Sequence, residues 1–298
     1  MPVADGVYRY TVYQVDLAGN VGPESTALQV TIDTSSPAPP LAPDLQAASG
    51  GNPFFVTELL RWLMQVHCLP HRFEPRAAGL HAPLQKKLGL PIELPLLLTP
   101  EGPIGGLRPA IGWVEGQLKQ AGASLYTGEA EREWAEALTT ELFPAAVQLF
   151  YAYMLKSPLA IIPPSLAGVP LGDRLAVTLG FPLWRAALRR GLKLETFRPE
   201  LAEAVIRHQF DRVASELGGK NWLCGKRACF RDLLFAVLAS PVILPPGHPA
   251  TLPAMDSLPR AFRTRVESFR AHPAGQHALK VYATRGQADC PKAETMTA

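Results

Sequence analysis

The stretch that most constrains the fold lies between residues 90 and 114, where two short apolar runs and a helical pattern follow one another. Residues 94–98 form an apolar run of strand length with Pro95 inside it. Because proline has no N–H for a strand ladder, Pro95 belongs at a strand start, at an edge or in a special turn. A Glu-Gly turn follows at residues 101–102, and helical spacing of apolar residues begins near Leu107. The stretch therefore predicts strand, turn, short strand and helix, in that order.

Length and composition are compatible with two domains and give no sign of nucleic-acid binding. The chain has 298 residues, of which 47% are hydrophobic and 18% charged, which is enough for a sizeable core. Its net charge of +3 is too small to argue for nucleic acid. The apolar runs at residues 142–155 and 233–244 are shorter than a membrane span. We therefore predict neither a nucleic-acid nor a membrane partner.

The four cysteines, Cys68, Cys224, Cys229 and Cys290, show no zinc-ligand spacing, and the histidines do not supply one. Scattered cysteines in a chain of this length indicate reduced thiols in a reducing compartment. The N-terminal residues have neither the basic nor the apolar region of a signal peptide. These observations predict a cytoplasmic protein without a metal site.

Residues 1–34 differ in pattern from the rest of the chain. β-branched and aromatic residues alternate with period 2 at residues 6–16, and a second alternating strand follows at 25–32. Together with the intervening Leu-Ala-Gly-Asn turn, they resemble the last two strands of a bacterial Ig-like repeat. An Ig-like sandwich needs about seven strands. This segment, residues 1–34, is therefore interpreted as a β-hairpin that corresponds to only part of an Ig-like repeat. A proline-rich linker at residues 35–44 follows it.

The segment after the linker predicts alternating strands and helices across residues 45–122. Residues 45–49 are a weak first strand, and the Gly-Gly-Asn-Pro sequence at 50–53 is a loop. Apolar residues then recur at helical spacing from 55 to 67, and a shorter helical turn occupies 84–88.

From residue 129 to residue 285 the apolar spacing is helical throughout. One long helix contains Pro144, where we expect a kink. A clean amphipathic helix ends at Gly218-Gly219, and the most apolar helix covers residues 228–236. The tail at 286–298 is predicted to be disordered.

The order strand, proline, strand and helix resembles the second half of the thioredoxin-like domain of glutathione S-transferases. Pro95 matches that family's cis-proline, and Ala110-Ile111 matches the small-apolar pair that packs the next helix down. The family's acidic-serine pair would fall at Leu107-Arg108 and is absent. The resemblance therefore implies the thioredoxin-like fold more strongly than it implies glutathione chemistry.

The helical half resembles the same family around its central buried helix. Asp232 keeps the second half of the family's helix-capping box, and Cys229 occupies the first position. Both resemblances together imply a mixed-sheet thioredoxin-like domain at 45–122 and an all-helical transferase domain at 129–285. The other matching residues are Leu217, Trp222, Leu223, Gly225, Leu233 and Ala236.

The resemblance also implies glutathione as the ligand. The backbone of Leu94, before Pro95, would pair with the cysteinyl amide of the tripeptide. Arg108, in a first helical turn, would bind a glutathione carboxylate, the alternative being a solvated surface arginine. The family activates the glutathione thiol with a hydroxyl or thiol after its first strand. Ser49 and Asn52 are the candidates, with ordinary turn chemistry as the alternative.

Three aromatic residues at helical spacing, Tyr151, Tyr153 and Trp184, are candidates to line an apolar substrate pocket, with core packing as the alternative. The basic stripe at residues 185–193 is interpreted as a solvated helix face. We predict a homodimeric protein that binds glutathione and conjugates its thiolate to a small apolar electrophile. The alternative is a non-catalytic binding or dimerising module with the same fold.

Overall fold

A computed structural model describes residues 32–33, 53–69, 71, 82–90, 95–165 and 171–285. The first part of this range contains a small sheet and the helices packed beside it, and the rest is helical. The elements of the first part are β1 (Ile32–Asp33), α1 (Pro53–Val66), α2 (Ala82–Lys87), β2 (Leu96–Thr99), β3 (Gly102–Gly105) and α3 (Leu107–Gln120).

The hairpin of β2 and β3 confirms the predicted strand, turn and strand. The two strands are antiparallel, with Leu96 opposite Gly105 and Thr99 opposite Gly102. The Thr99 hydroxyl donates to the carbonyl oxygen of Gly102 at 2.7 Å and closes the turn. Pro95 lies directly before β2, where its missing N–H costs no ladder bond. Its carbonyl accepts a hydrogen bond from the N–H of Gly106 at 2.9 Å.

The third strand of the sheet is β1, which pairs antiparallel with β2 and places Ile32 opposite Leu97. These two residues belong to the segment interpreted as an Ig-like hairpin, and here they extend the sheet of the following part. The remainder of that segment, the linker at 35–44 and the weak strand predicted at 45–49 lie outside the described residues.

Helices α1 and α3 pack against each other beside the sheet. The predicted apolar positions Leu59, Leu60 and Leu63 of α1 are all buried. In the second half of α3, the buried carboxylate of Glu115 accepts hydrogen bonds from the N–H of Leu125 at 2.6 Å and from a serine hydroxyl. This carboxylate fixes the connection that leads into the helical half.

The helical half confirms the predicted order of amphipathic helices. Helix α8 ends at Gly218, whose φ of 47° gives the left-handed C-cap expected from the sequence. The helices are α4 (Glu129–Ala137), α5 (Phe143–Met154), α6 (Pro158–Ser165), α7 (Leu171–Gly191), α8 (Pro199–Leu217), α9 (Phe230–Ile243), α10 (Arg260–Ala271) and α11 (Pro273–Ala283).

Two regions of the helical half contain prolines inside a helix or next to one. The irregularity expected near Pro144 takes the form of a π-helical segment, Leu138–Leu142, which directly precedes α5. Helix α6 runs through Pro163 and Pro164. Burial of Ile161 against the core holds this short helix despite the two missing N–H groups.

The core of the helical half is centred on α9, which packs against α11, α5 and α1. Every residue of α9 except Arg231 is buried, as its apolar composition predicts. Among the described residues, no helix is long and apolar enough to cross a membrane.

Candidate functional site

The predicted glutathione-binding residues that the structure describes, Pro95 and Arg108, lie at the two ends of the β2–β3 hairpin. The hydrogen bond from Gly106 to the Pro95 carbonyl holds the start of α3 against the start of β2. Arg108 therefore projects from the first turn of a helix that begins next to the predicted cis-proline position. The other predicted members, Leu94, Ser49 and Asn52, lie outside the described residues.

The N-terminus of α3 has the electrostatic character of an anion site. Its cap residue is Gly106, with φ of 96°, so no side chain caps the first turn. Uncapped N–H groups and the helix dipole both favour a negative charge at this end. The first turn of α3 contains no acidic residue that could satisfy them internally.

Arg108 already has an acidic neighbour. Its Nη2 lies 2.8 Å from Oε1 of Glu136 on α4, and the two side chains are 41% and 33% exposed. Exposed ion pairs of this kind contribute only about 0–1 kcal/mol. A carboxylate ligand at α3 could therefore compete with Glu136 for the guanidinium.

A cavity of about 250 Å³ lies in the helical half, and it contains two of the three predicted pocket residues. Tyr151 and Tyr153 on α5 both line it, whereas Trp184 on α7 does not. Trp184 instead packs against Phe181, with ring centroids 5.5 Å apart. The complete lining is Tyr151, Ala152, Tyr153, Leu155, Lys156, Arg185, Arg189, Leu194, Phe197 and Pro199.

Sequence reasoning missed the positive charge of this cavity. Arg185 and Arg189 of α7 and Lys156 after α5 all contribute to the lining. Both arginines are half-buried and line the cavity, which the interpretation as a solvated helix face did not foresee, whereas Arg190 beside them is exposed. The spacing of Arg185 and Arg189, four residues apart on one helix face, was the available signal.

The two tyrosines differ in environment. Tyr151 is 0% exposed, and its hydroxyl has no hydrogen-bond partner within the described part of the chain. Burial raises the pKa of Tyr151 well above its ordinary value, so its hydroxyl stays a neutral donor. Tyr153 stacks on Phe262 at 5.6 Å, and the ammonium of Lys156 lies 5.8 Å from its ring.

The predicted capping residues lie at the start of α9. Asp232 is fully buried, and its Oδ2 accepts a hydrogen bond from the N–H of Cys229 at 2.8 Å. Its Oδ1 accepts from the N–H of Leu223 at 2.9 Å and lies 2.7 Å from Nε2 of His277. Asp232 thus joins the preceding loop, α9 and α11 through one carboxylate.

The prediction of reduced, isolated cysteines is wrong for this loop. Cys224 and Cys229 form a disulfide with Cα atoms 6.1 Å apart, and Cys68 is also disulfide-bonded. A tight turn explains the Cys224–Cys229 disulfide. Gly225, within this turn, adopts a φ of 96° and donates its N–H to the Trp222 carbonyl at 2.9 Å. Sequence spacing alone does not reveal that this turn brings the two sulfurs together.

In the described part of the chain, one cluster of three residues has side chains of the kinds that ligate metals. Ligand atoms of Glu131, Cys224 and Cys229 lie within 4.8 Å of one another. Both sulfurs are committed to the disulfide, so neither offers the thiolate that a zinc ion prefers. The arrangement therefore gives no metal site in this oxidation state.

No protein-family model matches the sequence, and no curated protein matches it. Among solved structures, a glutathione transferase from Phanerochaete chrysosporium superposes with a TM-score of 0.51 at 14% identity, covering 86% of this chain and 97% of that protein. The chain has the glutathione S-transferase fold. A glutathione S-transferase of Ceriporiopsis subvermispora, crystallised with glutathione, gives a TM-score of 0.48 at 13% identity, with 86% and 97% coverage.

Proposed function

We propose that this protein binds glutathione at the junction of β2 and α3. The main support is the hydrogen bond between Gly106 and the Pro95 carbonyl, which sets Pro95 beside an uncapped helix N-terminus. In this proposal the backbone of Leu94 pairs with the cysteinyl amide of glutathione. The ion pair between Arg108 and Glu136 breaks, and Arg108 then binds a glutathione carboxylate.

The proposed reaction is conjugation of glutathione to a small apolar electrophile. The glutathione thiolate attacks an electrophilic carbon, a sulfur–carbon bond forms, and the leaving group departs with its electron pair. The thiol proton passes to solvent when the thiolate forms, and a hydrogen-bond donor near the sulfur favours this ionisation. Ser49 and Asn52 are the proposed donors, and Tyr151 and Tyr153 the proposed contacts to the electrophile. A homodimer is the proposed assembly. The disulfide bonds of Cys224–Cys229 and of Cys68 remove the support that reduced thiols gave to a cytoplasmic setting.

A second candidate function is a non-catalytic binding or dimerising module with the same fold. Two observations favour it: the acidic-serine pair of the transferases is absent at Leu107-Arg108, and the only cation of the first turn of α3 is paired with Glu136. Such a protein would keep the fold and lack conjugating activity.

Glutathione binding is tested by thermal and urea unfolding with and without glutathione. A ligand present at ten to one hundred times its dissociation constant should stabilise the protein by roughly 1.4–2.7 kcal/mol. Arg108→Gln should weaken binding about tenfold, as expected for loss of a charge-assisted hydrogen bond. Glu136→Gln should strengthen binding, because it frees the guanidinium.

Arg132→Gln is the matched control, because the Arg132 side chain is about as exposed as that of Arg108 and forms an ion pair with Glu129. Binding should be unchanged in this variant. Absence of any stabilisation by glutathione would refute the proposed ligand. If glutathione binds, conjugating activity of the unmodified protein decides between the enzyme and the non-catalytic module. The same assay on Ser49→Ala and Asn52→Ala then shows which donor, if either, matters.

A further inference from the structure

The cavity of the helical half has an unbalanced charge. Lys156, Arg185 and Arg189 line it, and no acidic residue is part of the lining. Among the described residues, no carboxylate forms an ion pair with any of the three. Positive side chains gathered in a concave, partly apolar space favour a negatively charged occupant.

The Tyr151 hydroxyl adds an independent observation. Tyr151 is completely buried and lines the same cavity. Its hydroxyl has no hydrogen-bond partner within the described residues. A buried polar group normally finds a partner, since leaving one unpaired costs about 1–3 kcal/mol. A ligand atom that accepts a hydrogen bond would remove this cost.

The rest of the lining is apolar or aromatic and sets the size of the ligand. Leu155, Leu194 and Phe197 contribute carbon surface, and Tyr153 presents a ring fixed by its stacking on Phe262. The amide of Gln148 donates to the Leu192 carbonyl at 3.1 Å, which holds the segment containing Leu194 against α5. A volume of about 250 Å³ is below the usual range for drug-sized ligands, so a single ring is the expected size.

We infer that this cavity binds a small aromatic carboxylate. The carboxylate interacts with Arg185 and Arg189, which lie four residues apart on α7 and so share one face. Lys156 adds a third positive charge, the Tyr151 hydroxyl donates a hydrogen bond, and the apolar lining contacts the ring. This site refines the apolar electrophile of the proposed function to an acid, but its ligand binding does not depend on glutathione.

The test is isothermal titration of the full-length protein with benzoate and with benzamide, its uncharged isostere. Benzoate should bind, and benzamide at least about tenfold more weakly, because it lacks the charge that the guanidinium groups recognise. The double variant Arg185→Gln/Arg189→Gln should lose at least about tenfold in benzoate affinity. Arg190→Gln, on the same helix but outside the lining, is the matched control and should bind like the parent.

Tyr151→Phe separates ligand binding from folding. Removing an unpaired buried hydroxyl should leave the urea midpoint of the free protein unchanged or higher, while benzoate affinity falls about tenfold. Failure of benzoate to bind, equal binding of benzamide, or equal binding of inorganic sulfate would overturn the inference. Glutathione titration of the same variants distinguishes this outcome from failure of the proposed function, since the double arginine variant should keep any glutathione binding.

Discussion

The buried carboxylate of Asp232 makes a sharp prediction about the stability of the helical half. In Asp232→Asn one oxygen becomes an NH₂ group, which cannot accept the hydrogen bond from the N–H of Cys229 now made at 2.8 Å. The remaining oxygen keeps neutral hydrogen bonds to Leu223 and His277 in place of charge-assisted ones. One unpaired buried donor and two weakened bonds together should cost about 2–4 kcal/mol.

Asp211 is the matched control for this change. It lies 2.9 Å from Nε2 of His272 in the same kind of Asp–His pair, but its side chain is 74% exposed. Asp211→Asn should therefore change the free energy of unfolding by no more than about 0.5 kcal/mol. Urea unfolding followed by tryptophan fluorescence measures both variants. If Asp232→Asn lowers stability no more than Asp211→Asn, the buried network does not stabilise the fold as argued.

Two further predictions concern close packing and pH. A Cβ atom at Gly275 would lie 1.8 Å from the carbonyl oxygen of Phe269, whereas one at Gly116 would meet nothing within 4 Å. Gly275→Ala should therefore destabilise the protein by more than about 2 kcal/mol and Gly116→Ala should stabilise it by up to about 1 kcal/mol; equal unfolding midpoints would contradict this reasoning. Burial lowers the pKa of His248 from 6.5 to about 4, so stability should fall as the pH drops from 6.5 through 4, where only the unfolded state gains the proton. In His248→Gln this part of the fall should disappear from urea unfolding curves measured at pH 7, 5.5 and 4.5; an unchanged pH dependence would show that other groups cause it.

The Asp232 network also changes the meaning of the capping pattern. The sequence predicted a local helix cap made by Cys229 and Asp232, and Asp232 does accept a hydrogen bond from the N–H of Cys229. Its other oxygen reaches Leu223 and His277, which lie 9 and 45 residues away in the sequence. A local spacing pattern cannot show contacts at that separation, because they depend on how α11 packs against α9.

Local patterns in the sequence determined the elements of this fold. Apolar residues spaced for one helix face predicted α1 and α8, and a missing N–H placed Pro95 before a strand rather than within it. Glycine at position 218 ended α8 because it adopts positive φ without steric cost. Each of these outcomes depends on backbone preferences and short-range periodicity, which act within a few residues.

The tertiary structure alone decided where the charged and sulfur-containing side chains meet. The three cations of the cavity come from two segments about thirty residues apart in the sequence, and only the tertiary structure places them around one cavity. Packing also pairs Arg108 with Glu136, and a glycine turn joins Cys224 to Cys229. Electrostatic and covalent partners depend on distance in space, which the order of residues along the chain does not specify.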